Sequence, residues 1–207
     1  MSDAKETPRR ASILEATSEV FLRYGSRKTS MDDLARASGL SRQGLYLHFK
    51  TKEELLQAAV AYVIAGVEAA CRAALTQTDR PAIDRLLGAF DAFHGRRIAQ
   101  PRAQDIGEVS EAESGLIGAL YREHERRFVT AIEGVLSEPG TAHLVGRTGV
   151  SPREIAETLL ALSFGLKGRV TTAVEYRDRM ATALRLVLAD AQTGDVAARR
   201  AASNFPT

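Results

Sequence analysis

Between Ser30 and Lys52 the chain gathers side chains suited to hydrogen bonding rather than to covalent chemistry. Arg42, Gln43, Tyr46 and His48 fall on one short segment, with Ser30 and Ser41 before it and Lys50 and Lys52 after it. A guanidinium can grip guanine O6 and N7 with two parallel N–H groups, worth ~1–3 kcal/mol against a wrong base. Gln43 can pair with adenine by the same logic, and Tyr46 can meet a phosphate or a thymine methyl. These three are the candidate base contacts. Ser30, Ser41, His48, Lys50 and Lys52 suit phosphates, which position a protein on a duplex without reading it.

Such side chains need a rigid, protruding support. Met31 to Ala37 carries Met31, Leu34 and Ala35 at helical spacing, and Ser30 with Asp33 forms a capping-box pattern at its start. Gly39 follows where the chain must turn, Leu40 can plug the corner, and Ser41 can cap a second helix from Arg42 to His48. Leu45 faces inward there. Arg42 and Tyr46, four apart, share the outward face. A small residue at a helix crossing, a turn glycine and an apolar anchor together make a helix-turn-helix, whose second helix can enter a major groove.

With these residues in view, the stretch DDLARASGLS at 32–41 followed by GLYLHFKTKEELL at 44–56 resembles the DNA-binding domain of TetR-family (TetR/AcrR-like) transcriptional regulators. Leu45, Tyr46, His48, Phe49, Lys50 and Lys52 carry the resemblance, which covers about residues 10–65. Gln43 and Gly44 depart from many relatives, where 43 is small or Pro and 44 polar or Thr. Gly44 has no side chain to offer a base, so Gln43 is expected to take that role, and no known operator is transferred.

Charge is unevenly spread. Arg23 to Lys52 holds seven basic and two acidic residues, whereas Glu53 onward holds eighteen basic and twenty acidic. A basic head on a near-neutral body fits phosphate contact at one end. The one cysteine, Cys71, rules out an internal disulfide framework and a Cys-based zinc site. No secretory h-region is present at the N-terminus, and the charge-free apolar stretch Ala58 to Val67 is too short to span a bilayer. A cytoplasmic protein without a membrane partner is expected.

The rest reads as all-α, about nine helices in total: a three-helix helix-turn-helix head at 1–50, a helical ligand-binding and dimerisation body at 51–193, and a flexible tail at 194–207. Thr7 is expected to cap the first helix, with Pro8 at its first position, ending near Tyr24 before Gly25. Thr51 with Glu54 opens a long fourth helix to about Leu75. Pro81 starts the next, striped by Ile83, Leu86, Leu87, Phe90, Phe93 and His94. A short helix is expected over 102–109, a long one over Ala112 to Leu136, and a loop over 137–152. Ser151-Pro152 with Glu154 opens a helix to about Arg169, and the last helix runs from Thr172 or Val174 to about Ala191.

The last two helices carry more apolar and small residues than one partner helix would cover. Leu159, Ala161, Leu162, Gly165, Leu166, Gly168, Leu184, Val187 and Leu188 are therefore expected to meet a symmetry mate in a four-helix bundle, making a homodimer. The resemblance implies the same interface. It also implies a double-stranded DNA operator and a small-molecule pocket whose occupant tilts the fourth helix and weakens DNA binding. Tyr62, Phe90, His94, Tyr121, His124 and Phe128 are the pocket candidates; their aromatic lining favours a hydrophobic or aromatic effector.

Enzyme chemistry finds no support. G-x-S-x-G, a Walker loop, H-E-x-x-H and a dinucleotide glycine turn are all missing from the sequence. No catalytic residue, metal site or cofactor is expected. The reading is a ligand-responsive repressor; the alternatives are an activator or a ligand-independent architectural DNA binder.

Overall fold

The computed structural model describes residues 3–95, 98, 111–146 and 149–188, apart from the side chains of 3–7, 111–114 and 143–144. Every regular element among them is α-helical: α1 (Asp3–Tyr24), α2 (Met31–Ala37), α3 (Arg42–His48), α4 (Lys52–Leu75), α5 (Ala82–Phe93), α6 (Glu111–Leu136), α7 (Pro139–Gly146), α8 (Pro152–Lys167) and α9 (Ala173–Leu188). The helix expected over 102–109 and the tail 194–207 lie outside the described residues.

Two compact units divide the chain. One comprises residues 1–69 and 100–126, the other 70–99 and 127–207. The division falls inside α4 and α6. This packing division groups residues differently from the division of roles expected at residue 50.

In the first unit, Ile13 and Phe21 of α1, Met31, Leu34 and Ala35 of α2, Leu45 of α3 with Phe49 at its C-cap, Leu55, Leu56 and Ala59 of α4, and Ile117 of α6 share one core. Burial of Leu45, fully inaccessible, stabilises the turn between α2 and α3 by about 1.5–3 kcal/mol. Gly39 makes that turn at φ +66°, a left-handed conformation in which a Cβ would be strained. The Leu40 amide closes it onto the Ala35 carbonyl at 2.9 Å. Leu40 is half-buried against the core, as a corner plug should be.

α1 departs from expectation at its start. It begins at Asp3, with Pro8 inside it. A proline this near an N-terminus removes one early amide bond and leaves the later ones intact, so Thr7 is not the cap.

By length and composition α4 could cross a bilayer. Its Leu55, Leu56, Ala59, Ile64, Cys71 and Leu75 are buried against protein. Thr51 Oγ1 accepts from the Glu54 amide at 3.0 Å, while the Glu54 carboxylate reaches back to the Lys50 amide at 2.8 Å.

In the second unit, α5, α7 and α8 pack on α9. The region 137–152, expected as a loop, contains α7. Pro139 stands at its first position, where a missing N–H costs nothing. The amides of Thr141 and Ala142 donate to the Glu138 carbonyl at 2.9 and 2.8 Å, and Thr141 Oγ1 donates to the Val135 carbonyl at 2.6 Å. Thr141 and Val145, four apart, give this helix its buried face. α8 opens as expected, with Ser151 and Glu154 in a reciprocal capping box.

Candidate nucleic-acid interface

Two serines fix the helix starts that present the interface. Ser30 Oγ accepts from the Asp33 amide at 3.2 Å and donates to Asp33 Oδ2 at 2.6 Å, and the Ser30 amide reaches the same oxygen at 3.1 Å. These bonds from Ser30, and Arg36 beside it, hold the Asp33 carboxyl below its ordinary pKa. Because the hydroxyl has one proton, a Ser30 contact with phosphate would have to displace Asp33. Ser41 Oγ accepts from the Gly44 amide at 3.0 Å and keeps its proton for a partner. A Cβ on Gly44 would stand 3.2 Å from that Oγ, so the glycine lets the cap close tightly.

The outward face of α3 comprises Arg42, Gln43, Tyr46 and Leu47. All four are exposed. Leu47 is 81% exposed, an apolar side chain with no core to join. Leu47 cannot hydrogen-bond and so is not among the expected contacts. Its signal was there: Leu45 takes the inward position, and a residue two further on cannot share that face.

Arg42 is held from two directions. Its Nη1 donates to Asp32 Oδ2 at 3.0 Å, and its guanidinium carbon lies 5.7 Å from the centre of the Tyr46 ring. Tyr46 first, then Asp32, raise the guanidinium pKa above its ordinary value, so its charge is fixed at any working pH. Asp32 was not among the expected site residues.

The C-terminal end of α3 is held from α1. Arg10 Nη1 donates to the His48 carbonyl at 3.0 Å, and the guanidinium lies 4.2 Å from the centre of the buried Phe49 ring. A cation at a helix C-terminus is favourable, and this one ties the end of α3 to α1. Arg10 was missed because its partner is 38 residues away. The His48 ring is half-buried, and its Nδ1 is enclosed without a hydrogen-bond partner. Lys50 is exposed. Lys52 Nζ donates to the Ser26 carbonyl at 3.1 Å, which ties the loop between α1 and α2 to the start of α4 and leaves two ammonium N–H groups.

The six expected effector residues divide between the units. In the first, Tyr62 is exposed, Tyr121 packs half-buried on the head's core, and buried His124 places Nδ1 3.3 Å from Glu68 Oε1. In the second, Phe90 and Phe128 meet edge to face at 5.1 Å, Phe93 stacks on Phe128 at 4.2 Å, and His94 lies 4.7 Å from Phe93. His94 Nδ1 is 2.6 Å from Ser163 Oγ, which is 2.6 Å from the Tyr176 hydroxyl, which donates to the Phe90 carbonyl at 3.2 Å. The phenolic proton goes to Phe90, so Ser163 donates to Tyr176 and His94 donates to Ser163. Burial raises the Tyr176 pKa. A surface groove of about 520 Å3 in the first unit is lined by Val20, Tyr24, Lys28, Thr29, Asp33, Arg36 and Ala37, none of them an expected effector residue.

Of the expected dimer residues, Leu159, Leu166 and Leu184 are buried by their own chain. A side chain so covered has little surface left to offer a second protomer. Ala161, Leu162, Gly165 and Gly168 are exposed, and Val187 and Leu188 are half-buried. Phe164 and Leu186, which the reading omitted, are exposed too. Among the described residues, no group of three His, Cys, Asp or Glu side chains is placed to share a metal ion.

Residues 13–59 match the model of bacterial regulatory proteins of the tetR family. The HTH-type transcriptional activator FasR of Mycolicibacterium smegmatis is 40% identical over 89 residues, 41% of this chain and 38% of that protein. The HTH-type transcriptional regulator SrpR of Pseudomonas putida is 31% identical over 144 residues, 65% of this chain and 62% of that protein. The chain thus spans less than two thirds of the length of either relative. In fold it is similar to AibR, solved in complex with isovaleryl coenzyme A and operator DNA, with a TM-score of 0.59 and 19% identity over 84% of this chain and 96% of that one. The matched segment contains the whole α2–turn–α3 unit with its capped starts and outward polar face, and this segment of the chain is a DNA-binding segment of the TetR family of bacterial regulatory proteins.

Proposed function

We propose that the protein is a DNA-binding transcriptional regulator that binds a (pseudo)palindromic operator as a homodimer and is released by a small hydrophobic or aromatic effector. The observation that carries this reading is the outward face of α3, where Arg42, Gln43, Tyr46 and Leu47 stand exposed on a helix anchored by buried Leu45 and Phe49. Arg42 and Gln43 read base edges; Tyr46 and Leu47 meet apolar groups such as a thymine methyl. Ser41, His48, Lys50 and Lys52 take phosphates, with Ser30 contributing only if it exchanges Asp33. Residues 1–50 serve DNA and residues 51–193 serve effector and dimer, in a cytoplasmic protein without enzymatic activity.

The exposed stripe of Ala161, Leu162, Gly165 and Gly168 on α8, with Phe164 beside it, supports a second copy of this chain as partner. The effector reading rests on Phe90, His94 and Phe128, gathered around Phe93, and on Tyr62, Tyr121 and His124. AibR was solved with both isovaleryl coenzyme A and operator DNA bound. Release requires the effector to bind one of two states more tightly.

Fluorescence anisotropy on the DNA flanking this protein's own gene, against shuffled DNA at ~0.15 M salt, tests the reading. Selective nanomolar binding with two protomers per site is expected. Equal weak binding to this and to every selected duplex contradicts sequence reading, and a monomer by light scattering at micromolar concentration contradicts the dimer. An activator is the second reading, favoured by the name of FasR. A ligand-independent architectural binder is distinguished by DNA affinity that no effector changes.

A further inference from the structure

Asp32 is an odd residue to find on a surface meant for phosphates. It lies in the first turn of α2, exposed, ten residues before Arg42. Capping does not require it. Ser30 and Asp33 complete the capping box between them, and Asp33 also takes Arg36 at 3.1 Å. A carboxylate facing a duplex repels it, so by itself Asp32 would only weaken binding.

Its contact gives it a use. α2 and α3 are packed through Leu34, Ala35 and Leu45 and joined by the Gly39 turn, which brings the first turn of one across from the first turn of the other. Asp32 Oδ2 takes one N–H of Arg42 Nη1 at 3.0 Å. A guanidinium is planar with five N–H groups, and guanine needs two parallel ones. Asp32 takes one Nη1 N–H and the Tyr46 side chain also bears on the guanidinium, whose five N–H groups still leave donors for a base. The Tyr46 ring, 5.7 Å away, bounds the same group on another side.

We propose that Asp32 is a positioning residue that aims the Arg42 fork at a guanine and keeps it off the phosphates. This rests on the reading of Arg42 as a base contact. Two consequences have opposite signs. Holding the fork in advance lowers the ordering cost of the specific complex. Occupying it with a carboxylate lowers affinity for every other sequence. Asp32 therefore raises discrimination while reducing non-specific binding, which an ornamental surface ion pair would not do.

The test begins with the tightest duplex recovered by the wild-type full-length protein from a randomised library. That duplex and its single-base variants are then measured with wild type, Asp32→Asn, Arg42→Ala and the double variant, at several salt concentrations. In wild type, one guanine per half-site is expected to lose about tenfold on replacement, and Arg42→Ala should abolish that preference. Asp32→Asn should reduce the same preference by about threefold or more, tighten binding to unrelated DNA, and steepen the salt slope as the released arginine takes a phosphate. In the Arg42→Ala background, Asp32→Asn should leave base preference unchanged.

A guanine preference lost in Arg42→Ala but kept in Asp32→Asn overturns the role of Asp32 and leaves Arg42 as a reader. A preference that Arg42→Ala leaves intact, or a library that yields no common sequence, overturns the parent reading and this proposal with it. Asp32 is exposed and outside the capping box, so Asn at 32 should melt within a few degrees of wild type; a large loss of folding instead would assign Asp32 a structural role and overturn the proposal.

Discussion

The face made by α2 and α3 keeps its polar side chains in solvent, whereas the unit around α5, α8 and α9 hides its own. Arg42, Gln43 and Lys50 are exposed, and Arg42 is held by Asp32, ten residues before it. In the second unit Arg85, His94, Ser163 and Tyr176 are buried, and their partners come from distant segments. On the first surface a polar group retains hydration until DNA arrives. In the second, each polar atom must find a partner during folding or cost about 1–3 kcal/mol. Substitutions should therefore separate cleanly: changes at the first surface alter binding, and changes in the second unit alter stability.

Arg85 gives the largest expected effect. Its guanidinium is 6% exposed, makes two 2.7 Å bonds to the Glu138 carboxylate and donates Nε to the Leu75 carbonyl at 2.7 Å. Arg85→Met strips three acceptors at once and should lower stability by about 2–3 kcal/mol in chemical denaturation, less than for a fully buried pair because Glu138 can rehydrate. DNA base preference should not change in the folded fraction. The pair also sets a pH dependence. Arg85 lowers the Glu138 pKa from its ordinary 4.5. The contribution is therefore complete above pH 4.5 and is lost as pH falls through the lowered folded value. Glu138→Gln should flatten that part of the acid-unfolding curve; an unchanged curve would remove the pair as its cause.

Tyr176→Phe is expected to cost about 1–2 kcal/mol, because the Phe90 carbonyl and Ser163 lose a shared hydroxyl in a buried place. Calorimetry should show the loss, and Ser163→Ala combined with it should be less than additive, since both break one chain. Strict additivity would mean that the three groups do not act as a chain.

These two positions also mark where the sequence was legible. Ser30, Ser41 and Ser151 were readable as caps because their partners lie three residues on, a separation fixed by the helix itself. Leu45 and Gly39 were readable for the same reason. Ser163, Tyr176 and Arg85 were not, since separations of 69, 86 and 53 residues are set by packing and no local pattern records them. The helical character of α7 is hidden in the sequence because Pro and Gly break most helices, and only the place of Pro139 at a helix start reverses that meaning. On the head the omissions were Asp32, Leu47 and Arg10: one acid, one apolar residue and one distant cation, none of which fits a search for exposed donors on α3.

Arg42→Ala crosses to the other side of the comparison. Melting temperature should stay within a degree or two of wild type, as at other exposed sites. Affinity for the preferred duplex should fall about tenfold, with preference lost at particular bases. A uniform loss on all sequences would make Arg42 a phosphate contact. Leu47→Ala should have a smaller effect, about threefold. It should be reproduced in wild type by replacing one thymine with deoxyuridine, which removes only the methyl group, and the two changes together should cost no more than either alone. Additive losses would separate Leu47 from that methyl.

Lys52 sits on the border of the comparison and has the smallest expected effect. Its ammonium already serves the fold through Ser26, yet two N–H groups remain at the start of α4, where the first amides of a 24-residue helix also favour an anion. If it neutralises one phosphate, Lys52→Ala lowers the slope of log K against log salt by about 0.9, with affinity reduced alike on preferred and shuffled duplexes. Lys50→Ala provides the control, since Lys50 is exposed and its ammonium can move freely to a phosphate. Equal slope changes for the two are expected. A lower melting temperature in Lys52→Ala with the slope unchanged would make Lys52 a clamp for the loop between α1 and α2, placing it with the buried polar groups of the second unit in kind: a cation whose bond is spent on folding before any DNA is present.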